Sequence, residues 1–183
     1  MPRRRSFDTL ISWFLPESIL REEPDVLRRA KLSVAYNLTV PLWGPPFAVF
    51  LWKLEQPVVA TLVGVGTVCA WIPLVVLRRT GSLVAMGHLL AAYGTGLVVG
   101  AAWLEGGLGA PGVLWFPLVP LVAMLIAGRG AAILWAGVMA AALVAFWALE
   151  RRGVRVVFTL DESGLALLRC TLAIAAISVF VAI

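Results

Sequence analysis

The sequence predicts an all-α integral membrane protein: a six-helix transmembrane bundle preceded by an amphipathic interfacial helix. Three observations carry that expectation. Hydrophobic residues make up 61% of the chain and charged residues only 14%, far short of the polar surface a water-soluble domain of this length needs. The apolar residues gather into six runs, each close to the roughly 20 residues a helix needs to cross the ~30 Å hydrocarbon core. The charges fall between those runs, and the basic ones are biased to one side.

The runs cover 33–52, 57–77, 83–103, 111–127, 131–149 and 164–183. The first four connections read "KLEQ", "RRTGS", "LEGGLGA" and "GRG". Links this short make neighbouring helices antiparallel and adjacent. The fifth, "ERRGVRVVFTLDES", is longer, and its β-branched "VRVVFTL" has room for a short extended piece. Only Gly128, Arg129 and Gly130 separate spans four and five, so a re-entrant pair is the alternative there.

Residues 1–32 form a separate N-terminal segment. "RRRSFDTL" has the look of a twin-arginine signal, but Asp8, Ser12, Pro16 and Glu17 intrude before any apolar core forms. Further on, Ile11, Trp13, Phe14, Ile19, Leu20 and Leu27 suit a helix lying in the headgroup plane. Pro24 after "REE" marks a break and a new helix start. Arg28, Arg29 and Lys31 then lie where anionic inner-leaflet lipids attract them; the plainer reading is a positive-inside anchor.

Orientation follows from the basic residues. One side holds Arg3, Arg4, Arg5, Arg21, Arg28, Arg29, Lys31, Arg78, Arg79 and Arg129; the other holds Lys53, Arg151, Arg152 and Arg155. Both termini are therefore expected in the cytoplasm. The last run ends in "AISVFVAI" with no charged flank, which reads as a helix that continues into a cytoplasmic part.

Few polar groups lie within the spans, and each is a candidate for function. His88 is the single histidine, and a cluster of His88 with Asn37 or Tyr36 is expected. Haem is disfavoured, because one histidine cannot supply two axial ligands and Met86, two positions away, faces another side; no metal or other cofactor is expected. Arg169 enters the sixth span and must snorkel or pair, with Glu105 as the first choice and Asp161 or Glu162 as alternatives. Cys69 and Cys170 fall inside apolar runs and suggest packing rather than a disulfide.

Small residues (Gly96 with Gly100, Gly87 with Ala91, Gly137 with Ala141) mark spans that approach closely. Pro41, Pro45, Pro46, Pro73, Pro117 and Pro120 are each expected to kink or break a helix. Bent helices leave a gap in a bundle, the physical basis for a pocket. The loop "EGGLGAPGVLWFPLVP" would form its outer rim, with Trp43, Trp103, Trp115, Pro117 and Trp147 lining it and His88, Glu105 and Arg169 supplying polar groups.

Those residues carry a resemblance. "LPESILREEPDVLRRAKL", "RRTGSL" and "GGLGAPGVLWFPLVPLVAMLIAGRGAAILWAG" resemble the N-terminal six-helix membrane input module of bacterial sensor histidine kinases, with related modules on some diguanylate cyclases. The recurring pattern corresponds to Gly106, Gly107, Pro111, Trp115, Pro117 or Pro120, Gly128 and Arg129. The resemblance implies a signal-transducing receptor of the bacterial inner membrane, a homodimer, with a kinase following in the same polypeptide. One similar-looking class detects lipophilic autoinducers, which suits an apolar pocket; the expected signal is a small apolar or amphiphilic ligand or the state of the bilayer, relayed through the last helix. The chain departs by carrying no kinase, phosphoacceptor histidine or coiled coil of its own.

Two other classes compete. A small transporter or permease subunit would use the proline-broken spans around a midplane site, though the halves show no inverted repeat. A membrane enzyme needs a nucleophile, base or metal set that the spans lack, so this chain is not expected to be an enzyme. Expected partners are the lipid bilayer, the ligand and a second copy, with no nucleic acid.

Overall fold

The computed structural model describes residues 10–154. The sixth run at 164–183, the "VRVVFTL" loop beyond Val154, Arg169 and Cys170 lie outside the described residues. Within them the chain is all-helical, with no strand. Four helices are long and apolar enough to cross a membrane: Pro24–Lys53, Pro57–Thr80, Leu83–Leu104 and Arg129–Arg151.

Residues 10–14 are helical, and α1 (Glu17–Leu20) follows. Ile11, Leu15 and Ile19 are buried against Ala30, Val34, Leu74, Leu77 and Met86. This stripe therefore docks on one end of the helices, while Trp13 and Leu20 stay exposed. The Arg78 guanidinium stands 4.0 Å over the Trp13 ring, a cation–π contact that ties the segment to the last turn of the helix Trp71–Thr80.

Helix α2 (Pro24–Lys53) starts with proline in its first turn, where the missing N–H is unneeded, and ends on Lys53, which complements the negative helix end. It runs without interruption through residues 32 and 33, so the expected division there is not a helix boundary. Nor do Pro41, Pro45 and Pro46 break it; of the expected kink or break, the break does not occur there. Each proline removes one i→i−4 bond, and the neighbouring turns hold the helical path across the gap.

The break falls in the second span. Helix α3 (Pro57–Cys69) stops and α4 (Trp71–Thr80) begins one residue later. Pro73 has no N–H for the Cys69 carbonyl, and its ring crowds that carbonyl. Asn37 of α2 donates from Nδ2 to the adjacent Ala70 carbonyl at 2.9 Å, so a side chain from the neighbouring helix serves the break. The α4–α5 turn is made by Gly81, at φ +66, and Ser82, whose hydroxyl accepts from Ala85 N–H at 3.1 Å. That is a serine N-cap on α5 (Leu83–Leu104).

The fourth run is not one α-helix. Two short 3₁₀ turns, Gly107–Gly109 and Pro111–Trp115, precede α6 (Leu118–Ala127). At 1.5 Å per residue α6 spans only about 15 Å, half a hydrocarbon core. Pro117 and Pro120 sit before and within its first turn, where no intrahelical donor is lost. At the other end Arg29 donates to the Leu125 and Ile126 carbonyls at 3.2 and 2.6 Å, closing the orphaned acceptors of α6. Gly128 then turns at φ +93 into α7 (Arg129–Arg151).

Val65, Val68, Ile133, Leu134 and Val144 point outward and exposed, as helix faces do when hydrocarbon is their solvent. Helices meet closely at Gly44, where an added Cβ would collide with Thr67, and at Gly87, where it would meet Ala127 Cβ at 2.7 Å. Gly96 and Gly137 face nothing within 4 Å among the described residues. Among the described residues, the expected small-residue contacts are not formed at these two positions.

Candidate functional site

A cavity of about 370 Å³ opens between α2, α3, α5, α6 and the second 3₁₀ turn, within the ~300–1,000 Å³ of small-molecule sites. Its walls are mostly aliphatic and aromatic. Tyr36, Trp43 and Phe47 come from α2, and Val63 and Thr67 from α3. Tyr93, Leu97 and Ala101 come from α5, leading to Glu105 just past its end, with Gly112 and Trp115 opposite. The stripe 93, 97, 101, 105 repeats every four residues, so one face of α5 lines the cavity from middle to end.

Glu105 is 6% exposed, and its Oε2 accepts the Gly112 N–H at 3.3 Å. Burial pushes its carboxyl up to about 7 from the ordinary 4.5, while the Gly112 hydrogen bond pulls the other way. The negative end of the α5 dipole acts in the same sense as burial. The fit at Gly112 is close: a Cβ there would lie 3.3 Å from Glu105 Oε2 and 3.4 Å from the Ala102 nitrogen.

A second carboxylate grips the same loop. Glu150, in the last turn of α7, accepts the Leu108 N–H on Oε1 at 3.0 Å. The loop reaches it through Gly106 at φ +111 and Gly107 at φ +75, a region that disfavours side chains. A Cβ on Gly107 would also press on Glu150 Oε1 at 3.0 Å. The glycine-rich stretch thus lets two buried or half-buried acids take backbone donors from one loop.

Of the residues expected to form the site, Trp43, Glu105 and Trp115 line the cavity. The other expected residues within 10–154 are elsewhere. Trp103 stacks on Phe146 at 6.0 Å between ring centres, in the core between α5 and α7. Trp147 is exposed, with Arg151 5.4 Å over its ring. Pro117 is exposed ahead of α6. Arg169 lies outside the described residues, so its pairing with Glu105 does too.

The expected cluster of His88 with Asn37 or Tyr36 is not assembled. His88 Nδ1 accepts from Trp135 Nε1 at 3.2 Å. Seven residues on, Thr95 donates to the Met139 sulfur at 3.7 Å. Positions seven apart share a helix face, and this face of α5 meets α7 rather than α2. Asn37 instead serves Ala70, and its Oδ1 is buried with no partner among the described residues, while Tyr36 belongs to the cavity wall.

Tyr93, Thr67, Phe47 and Leu97 were not expected at the site, nor were Glu150 and Trp135 in their contacts. The four-residue stripe ending at Glu105 was visible in the sequence and marks the lining face of α5. Nothing local marks Glu150, whose partner is 42 residues away. Compared with protein-family models, curated proteins and solved structures, the chain has no match.

Proposed function

We propose that this chain is the membrane-embedded sensory part of a bacterial signalling protein. A small apolar or amphiphilic ligand, or the state of the bilayer, biases the packing of six helices behind an interfacial N-terminal helix. The run at 164–183 passes the difference to a cytoplasmic output domain, most simply a histidine kinase, in a homodimer of the inner membrane with both termini cytoplasmic. The observation that carries this reading is the cavity, because its walls come from several separate elements. A ligand there touches the proline-bearing α2, the α3 half of the broken second span and the short α6 at once. Such a ligand shifts an equilibrium only by its differential affinity for two packings, and a site shared by several helices is where two packings would differ in the contacts they offer.

The test is made in the full-length protein. Leu97→Trp fills the cavity from α5, and kinase output in native membranes should become fixed and indifferent to hydrophobic membrane extracts that modulate the wild type. A coding sequence that ends after Ile183, or output unchanged by Leu97→Trp in a correctly inserted protein, removes the reading. The second reading is a small transporter, favoured by one feature: a carboxyl poised near neutral pH on the cavity wall. Proton-coupled uptake by reconstituted vesicles would support it.

A further inference from the structure

We infer that the cavity selects lipophilic monocations: an apolar body bearing one delocalised or quaternary positive charge, held against Glu105 and surrounded by the rings of Tyr36, Trp43, Tyr93 and Trp115. This rests on the cavity being a binding site, and it names the ligand class.

The charge pattern is one-sided. Among the described residues Glu105 is the one charged side chain on the cavity wall; no Lys, Arg or His lines it. The carbonyl end of α5 adds negative potential beside the carboxylate. An anion meets repulsion from both, and a neutral ligand leaves the ionised form of Glu105 desolvated and gains nothing from its charge. A compact ammonium would surrender a hydration shell that this wall, poor in acceptors, cannot replace. A diffuse cation gives up less water and gains from aromatic faces.

Glu105 is divided between its protonated and ionised forms near neutral pH. A bound cation favours the ionised form, so the carboxyl proton leaves to bulk water as the ligand enters. Tyr36 on α2 and Tyr93 on α5 are the other titratable groups on the wall; α3, α6 and the 3₁₀ turn contribute none.

The experiment compares tetraphenylphosphonium with tetraphenylborate, which have the same shape and opposite charge, and with neutral triphenylphosphine oxide. Binding is measured to the full chain in phosphatidylcholine nanodiscs, against protein-free discs. The phosphonium should bind at least about tenfold tighter than the borate after that correction. Glu105→Gln should abolish the preference and Leu97→Trp should block binding. Since Glu105→Gln can also disturb folding, calorimetry of the wild type at pH 7 in two buffers gives an independent reading. The phosphonium carries no proton, so a fraction of a proton released per ligand comes from the protein.

Equal binding of the two ions, or no proton release, overturns the inference. If the neutral oxide still binds and Leu97→Trp still blocks it, the cavity stands as a binding site and only the ligand class falls. If none of the three binds, the cavity reading falls as well. Phosphonium binding confined to Arg169→Gln would show that the chain's own Arg169 occupies the place beside Glu105, and also overturns the inference.

Discussion

Asn37 and Ala70 meet across the first two spans: the Asn37 side-chain amide donates to the Ala70 carbonyl at 2.9 Å, next to the point where Pro73 interrupts the helix. Asn37 is wholly buried. The contact is thus both an interhelical hydrogen bond and a support for a helix break, and it couples two elements that could otherwise bend independently.

Removing it should therefore cost more than an average interhelical bond between intact helices. Asn37→Ala is expected to destabilise the protein by about 1–2 kcal/mol. Pro73→Ala restores a backbone donor for Cys69 and straightens the span, so the Asn37 bond should then matter less. A double-mutant cycle in denaturant-induced unfolding checks this. Strict additivity would mean that Asn37 and the break are independent.

The two acids on the loop predict a local effect. Glu150→Ala strands the Leu108 N–H and should cost about 1–3 kcal/mol of local stability. Amide exchange at residues 106–112 should rise, while exchange in the middle of α5 stays unchanged. Protection that falls uniformly along the chain would contradict this.

Glu105 predicts a pH dependence with a definite sign. Its folded pKa of about 7 lies above the ordinary 4.5, so the folded state holds the proton more tightly. The stabilisation is complete below pH 4.5 and is lost as pH rises through 7, by at most about 3 kcal/mol at 1.36 kcal/mol per unit. Unfolding midpoints measured from pH 4.5 to 8 should fall with rising pH, and Glu105→Gln should flatten the slope. A wild-type midpoint that rises across this window would refute the burial argument for Glu105.

Much of the helical layout was legible because its causes are local. Pro24 and Pro57 open helices where a missing N–H is harmless, and Gly81 with Ser82 closes one helix and caps the next. The third span, expected at 83–103, is Leu83–Leu104. Prolines were less legible. Pro73 sits by a break, where Asn37 bonds the adjacent Ala70 carbonyl, and Pro41 lies inside an unbroken helix; the proline alone does not distinguish the two.

By itself the sequence determined that this chain is helical and suited to hydrocarbon, since composition and run length decide which solvent a segment tolerates. It also brought Trp43, Glu105 and Trp115 into consideration. Only tertiary structure decided that His88 pairs with Trp135 rather than Asn37, that Arg29 closes α6, and that Trp103 packs against Phe146. Those partners lie 43 to 97 residues apart in the chain. Which face of a helix turns to which neighbour is set by packing among all the helices together, and no local pattern records it.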